Sequence, residues 1–388
     1  MLGIDALVLL LESSELSISY HEAEMLYGGF SFLQFIENLS FAVFGKSDFA
    51  LRFPMVVFHI SSFILLYKIS QRYLKHERDR LWLMFVFILL PGVISSAVLV
   101  DNAGFVIFAL LFLVYIYEKV SIGYIYVLLS LYLFIDGDFA YLFFALIFFS
   151  LHKRDKKFLF FNVVLFLSSM YLFGINTEGL PKGHFLDAMG LYAAIFTPIV
   201  FVYIFYILYR KYLTKDIDLL WFISAVALVL SLLLSFRQRI DIESFAPYLI
   251  VSLPLAAQTF SNSYRVRLKM FRTKYKAVFS ISIIFLLLNS SLVFFNKNLY
   301  PLLDKPQMHF AYKLHVAKEL ASKLKDMGIE CVDTKKHMQL RLRFYDIAKC
   351  DTYLLSKNEI NKNTSTNVTI SYNNKPVYSA SVTKINKK

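Results

Sequence analysis

From residue 53 to residue 296 the chain repeats one pattern: an apolar run of 13 to 20 residues, then a short charged or polar break. A bilayer needs roughly 20 apolar residues per span, and fewer when a helix is buried among others. The runs are 53–70, 81–100, 104–117, 122–135, 139–151, 158–174, 192–209, 217–235, 245–260 and 277–296. A weaker run, 1–11, reads "MLGIDALVLLL" and carries Asp5. It is either a half-span or part of a span that begins upstream. The fold class expected is an all-α polytopic membrane protein with about 11 transmembrane helices. Composition agrees, because 57% hydrophobic residues with 40 Phe and 25 Tyr exceed what a soluble core uses. Nothing near the start reads as a cleavable signal peptide, which needs a basic region and a small-residue cleavage site. The segment 30–44, "FSFLQFIENLSFAVF", is apolar on one face with Gln34, Glu37 and Asn38 on the other. That pattern predicts an amphipathic helix lying at the interface, with an irregular loop as the alternative.

Lys and Arg orient the spans. Nineteen fall in one alternating set of loops, around residues 68–80, 119, 153–157, 210–215 and 265–276. The other set holds five: Lys46, Arg52, Lys182, Arg237 and Arg239. This asymmetry assigns the first set to the cytoplasm. The second set and the tail then face outward, which in a bacterium is the periplasm of the inner membrane. The net charge of +13 is mostly this topology signal. A nucleic-acid partner is a poor reading of basic residues spread over five loops.

The outward side collects the polar chemistry. It holds "YHEAE" at 20–24, Asp101-Asn102, Asp136-Gly137-Asp138, the loop 176–190 with Glu178, Lys182, His184 and Asp187, and "RQRIDIE" at 237–243. One such charge is ordinarily a solvated loop residue. Five clusters on one side suggest an outward-open polar cavity, since a carboxylate at a membrane boundary is costly to desolvate. Carboxylates with an imidazole suit a general base or a divalent cation, and Arg or Lys suit a phosphate. Together they point towards group transfer from a lipid phosphate.

The block "FGKSDFALRFP" has Phe44, Gly45, Ser47, Arg52 and Pro54 in the pattern F-G-x-S-x-x-x-x-R-x-P. An acidic first-loop pair precedes it, and Asp101 follows two spans later. "SFRQRIDIESFAPYLIVSLPL", 235–255, adds a polar segment before a late span. Over about residues 15–260 the chain resembles the polytopic lipid-phosphate-sugar glycosyltransferases of the GT-C superfamily, which include protein O-mannosyltransferases and the lipid A aminoarabinose transferase. The resemblance implies a transferase that moves a sugar from a polyprenyl phosphate to a lipid, glycan or protein acceptor on the outer face. It implies Glu22, His21 and Asp101 as catalytic residues, with Glu22 and Asp101 the candidates for any divalent metal ion. Arg52, Lys182, His184, Arg237 and Arg239 are the candidates to hold the donor phosphate. Such enzymes typically carry Asp-Glu in the first loop, where this chain has His21-Glu22. Histidine works as a base near neutral pH, and it is also what a silenced site would show. Many of these enzymes have Lys-Gly where this chain has Asp136-Gly137.

The tail changes character. From 297 onward Lys and Asn rise and long apolar runs end, so the expected domains are 1–296 and 297–388. "AYKLHVAKELASKLKDMG" has helical spacing and a Gly328 stop. "IECVDT", "LRLRFYDI" and "CDTYLLS" follow, "IECVDT" as a strand candidate, and 367–385 reads as a hairpin about Asn373-Asn374. A small α/β domain on the outer side is expected. Cys331 and Cys350 are a disulfide candidate in an oxidising compartment, with two free thiols the alternative. "NTS" at 363–365 and "NVT" at 367–369 fit the N-glycosylation pattern. No phosphate-cradling Gly loop or G-x-S-x-G occurs, and the two halves show no repeat of the kind transporters carry. A carrier of lipid-linked sugars and a non-catalytic member of an envelope-assembly complex remain as alternative functions.

Overall fold

The apolar runs fold as helices. The computed structural model describes residues 1–29, 31–174, 183–356 and 365–385, and it divides into two units. One comprises Met1–Leu9 and Pro54–Ser290; the other comprises Leu10–Phe53 and Ser291–Lys388. The second unit also takes in the first-loop segment, which composition alone assigned to the membrane part.

In chain order the early helices are α1 (Leu2–Glu15), α2 (Tyr20–Tyr27), α3 (Phe32–Phe44), α4 (Asp48–Tyr73), α5 (Glu77–Leu89), α6 (Pro91–Val98), α7 (Asn102–Tyr117), α8 (Ile122–Ile135) and α9 (Phe139–Lys153). Then come α10 (Lys156–Phe173), α11 (Phe185–Phe196), α12 (Pro198–Thr214), α13 (Leu219–Ser235), α14 (Ile242–Ile250), α15 (Leu253–Val266) and α16 (Lys269–Phe294). The tail adds α17 (Ala317–Asp326), α18 (Lys336–Phe344) and strands β1 (Tyr353–Ser356), β2 (Ser365–Tyr372) and β3 (Lys375–Lys384).

In the first unit α9 packs on α10 and α13, and α14 packs on α13 and α7. Phe139, Leu142, Phe143 and Leu146 of α9 are buried. Gly104 lets α7 approach α6, because a Cβ there would lie 2.5 Å from the Ser96 carbonyl oxygen. Outward faces carry Phe134, Phe160, Leu167, Tyr171 and Val202, all exposed. Large apolar side chains across whole helix faces suit a hydrocarbon solvent, so this is the unit of an integral membrane protein.

Fewer helices qualify as spans than the eleven runs led us to expect. Among the described residues, α4, α10 and α16 are long and apolar enough to cross a membrane, or five spans if two bent pairs count as one each. The pair α5–α6 bends by 61° at Leu90-Pro91, and α11–α12 by 106° at Thr197-Pro198. A residue before proline is pushed out of the helical region, which breaks the ladder there. Thr197 has φ 65°, a strained conformation for a β-branched residue. The run 245–260 likewise divides into α14 and α15. Helices α7, α8, α9 and α13 have 16, 14, 15 and 17 residues, or about 21–26 Å at 1.5 Å per residue.

In the second unit the strands form an antiparallel sheet in the order β1-β3-β2. Val368 faces Ala380 and Ile370 faces Tyr378. The turn residues Asn373 and Asn374 have φ 48° and 64°, the left-handed pair that a tight hairpin requires. Leu320, Ala321 and Leu324 of α17 join Val332, Leu342, Val368 and Val382 in one core. "IECVDT" forms isolated bridges from Cys331 to Ala348 and from Asp333 to Leu354, not a strand. Most of "LRLRFYDI" is helix α18, which buries Leu342 and Phe344. Cys331 and Cys350 are joined by a disulfide across 5.5 Å between Cα atoms. Asn363 of the first glycosylation pattern lies outside the described residues.

Candidate functional site

The first-loop pair sits in the second unit, and its geometry starts with Ser19. The Ser19 side chain accepts from the Glu22 amide at 3.1 Å, and the Ser19 amide donates to Glu22 Oε2 at 2.7 Å. This reciprocal capping box opens α2. The same Glu22 oxygen accepts from Arg52 Nη2 at 3.1 Å, with both side chains buried. Arg52 also donates to the carbonyls of Ser13 at 3.1 Å, Leu16 at 2.8 Å and Ser17 at 3.1 Å. The buried guanidinium thus binds one carbonyl in the last turn of α1 and two just beyond its end, offsetting the negative pole of that helix.

His21 therefore differs sharply from its neighbour. It is exposed on the first turn of α2, while Glu22 is only 2% exposed. Glu24 is exposed, accepts from Tyr20 Oη at 2.6 Å and lies 3.8 Å from Lys336. The polar stripe on α3 turns Glu37 inward. Its carboxyl is fully buried and neither oxygen has a hydrogen-bond partner. Burial, with Glu22 repelling and Arg52 opposing, pushes it up to about 9. On the opposite face of α3, Phe35, Leu39 and Val43 are exposed one turn apart, which fits a helix lying in an interface.

The first unit gathers the other polar residues. Asp101 caps α7, accepting from the Ala103 amide at 2.9 Å. Asn102 donates to Asp136 at 2.5 Å, and the Asp138 amide donates to Asp136 at 2.7 Å. Burial raises Asp136, and it raises Asp138 to about 7 with help from Asp136 and Asp241. Separately, His184, Asp187 and Arg239 line a cavity of about 520 Å³. His184 Nδ1 lies 3.1 Å from Asp187 Oδ2, and the His184 amide donates to the Ser235 carbonyl at 2.8 Å. Much of the expected loop is α11, which carries Asp187.

Of the candidate phosphate binders, His184 and Arg239 thus share one cavity. Arg237 is exposed two residues away. Arg52 is committed to Glu22 and to main-chain carbonyls, and Lys182 lies outside the described residues. Among the described residues no three of His, Cys, Asp and Glu come together in a group that could hold a metal ion. The structural engagement of Glu22 was legible, since "SYHE" is the S-x-x-E capping signature. Glu37 had a weaker signal, an acid inside an apolar run.

The chain superposes over 99% of its length on the crystal structure of ArnT from Cupriavidus metallidurans in the apo state, with TM-score 0.62 and 9% identity, covering 97% of that chain. The crystal structure of ArnT from Cupriavidus metallidurans bound to undecaprenyl phosphate gives TM-score 0.56 and 10% identity at the same coverage. No protein-family model matches the chain, and no curated protein matches its sequence. The likeness is one of fold, extending over both units.

Proposed function

We propose, from the fold this chain shares with ArnT, that it is a membrane glycosyltransferase using a polyprenyl-phosphate sugar. The observation that carries the reading is the full-length likeness to a protein whose structure holds undecaprenyl phosphate. The first-loop acid and the F-G-x-S…R-x-P block support it independently. In this reading all the apolar runs are spans, about eleven, with the polar clusters and the tail on the periplasmic side of the inner membrane. The acceptor is a lipid, a glycan or a protein hydroxyl or amine.

The chemistry assigns each group one task. The acceptor oxygen or nitrogen attacks the sugar's anomeric carbon and forms the new bond. The bond from that carbon to the phosphate oxygen breaks, and polyprenyl phosphate leaves with the electron pair. His21, exposed and imidazole-bearing, takes the acceptor's proton. Asp101 orients the acceptor. Arg239 and His184 hold the leaving phosphate, with Arg237 and Lys182 as further cations. Glu22 acts through Arg52, keeping the start of α2 in place.

The engagement of Glu22 favours one rival reading, a non-catalytic partner in envelope assembly. Transfer by the purified protein decides between them. The assay takes a panel of polyprenyl-phosphate sugars, with and without EDTA, on the parent, His21→Ala, Asp101→Asn and Arg239→Ala. His21→Ala should lose on the order of 100-fold or more in kcat, and Arg239→Ala should raise the donor KM. Donor binding without transfer from any donor would favour the silent partner. No donor binding would overturn the family reading as a guide to function.

A further inference from the structure

The turn that delivers His21 is buried and irregular. Leu16, Ser17 and Ile18 are at most 4% exposed. Buried backbone outside regular structure must find partners for its N–H and C=O groups. Here several partners come from the far end of the chain. The Ser17 amide donates to the Leu314 carbonyl at 2.9 Å. The Ile18 amide donates to Tyr345 Oη at 3.0 Å. Arg341 Nε donates to the Ile18 carbonyl at 2.7 Å, while its Nη2 reaches Ser17 Oγ at 3.1 Å and the His315 carbonyl at 2.6 Å.

The grip extends beyond this turn. Tyr345 Oη also donates to Asp48 Oδ1 at 2.6 Å, at the start of the helix that carries Arg52. Asp48 pairs in turn with Lys318 at 3.0 Å. Helix α18 then follows α2 itself. The rings of His337 and Tyr20 are 4.0 Å apart, and the Arg343 guanidinium lies 4.2 Å from the Tyr27 ring centre. Two buried guanidiniums, Arg52 and Arg341, thus hold consecutive carbonyls of one turn, three residues before His21.

We infer that Arg341 and Tyr345 are positioning residues for the first-loop site: the tail sets the direction in which α2 presents His21. This rests on the glycosyltransferase reading for its catalytic consequence. The clamp itself rests only on the hydrogen bonds. The tail domain is then a working part of the site.

The conservative variants Tyr345→Phe and Arg341→Lys test it in the full-length protein. Tyr345→Phe removes one hydroxyl, and Arg341→Lys keeps the charge but loses the fork that spans Ile18 and Ser17. Hydrogen exchange should quicken at residues 16–24 in both variants while β2 and β3 stay protected. Transfer from the best polyprenyl-phosphate sugar should lose on the order of tenfold to 100-fold in kcat, with the donor KM within about threefold. A merely structural role would lower the folded fraction and leave kcat per folded molecule unchanged. Unchanged exchange at 16–24 overturns the clamp, and unchanged kcat with quickened exchange overturns the positioning role. If the parent transfers no sugar, the glycosyltransferase reading fails and with it the catalytic role, while the exchange data still decide the clamp.

Discussion

Arg52 places a full positive charge where no water reaches it, and Glu22 and three carbonyls are what make that tolerable. Removing one partner of a buried pair leaves the other uncompensated. We expect Arg52→Met to destabilise the second unit by about 3–5 kcal/mol, and Glu22→Gln to act in the same direction, both read by thermal unfolding in detergent. Exposed His21 should change to Ala with no loss of melting temperature. Lost activity in Glu22→Gln is therefore not by itself a sign of catalysis; the pair of measurements separates the two. Glu37 makes a prediction of opposite electrostatic sense. Its carboxyl keeps its proton in the fold up to about pH 9, whereas the reference group releases it near 4.5. The unfolded chain thus binds fewer protons in that window, and stability falls as pH rises through it, on the order of 3 kcal/mol by pH 7. Glu37→Gln should flatten that slope in denaturation measured at pH 5, 7 and 8.5.

Among the elements, α18 is enclosed by the Cys331–Cys350 bridge, whose ends are 19 residues apart. A loop of that length contributes about 3 kcal/mol by restricting the unfolded chain. We expect Cys331→Ser with Cys350→Ser, or reduction, to lower the unfolding temperature of the tail domain and to quicken exchange in α18 before β2–β3. Loss of stability without faster exchange in α18 would count against this ordering. The hairpin shows how much an element's own sequence can carry. Alternation around Asn373-Asn374 placed it correctly because side-chain period and turn chemistry are both local. The breaks at Pro91 and Pro198 were equally visible as residues, yet the bend angles depend on what each half packs against.

For the molecule as a whole, orientation is the property the Lys and Arg distribution addresses. Nineteen basic residues in one set of loops against five in the other bear directly on labelling. In intact cells, Arg239→Cys should react with a membrane-impermeant thiol reagent, and Lys119→Cys should react only after permeabilisation. The reverse pattern would invert the topology and move the polar clusters to the cytoplasm.

The chain's local patterns determined that its apolar runs are helical and that the tail holds a hairpin. These follow from periodicity, composition and turn residues within windows of about twenty positions. Tertiary structure decided the rest. It buried Glu22 against Arg52 and left His21 exposed. It brought His184 and Arg239 to one cavity from 55 positions apart, and it joined Arg341 to Ile18 across 323. A hydrogen bond between distant residues leaves no period in the sequence; its partners become identifiable only when folding removes water and each buried polar group must find another.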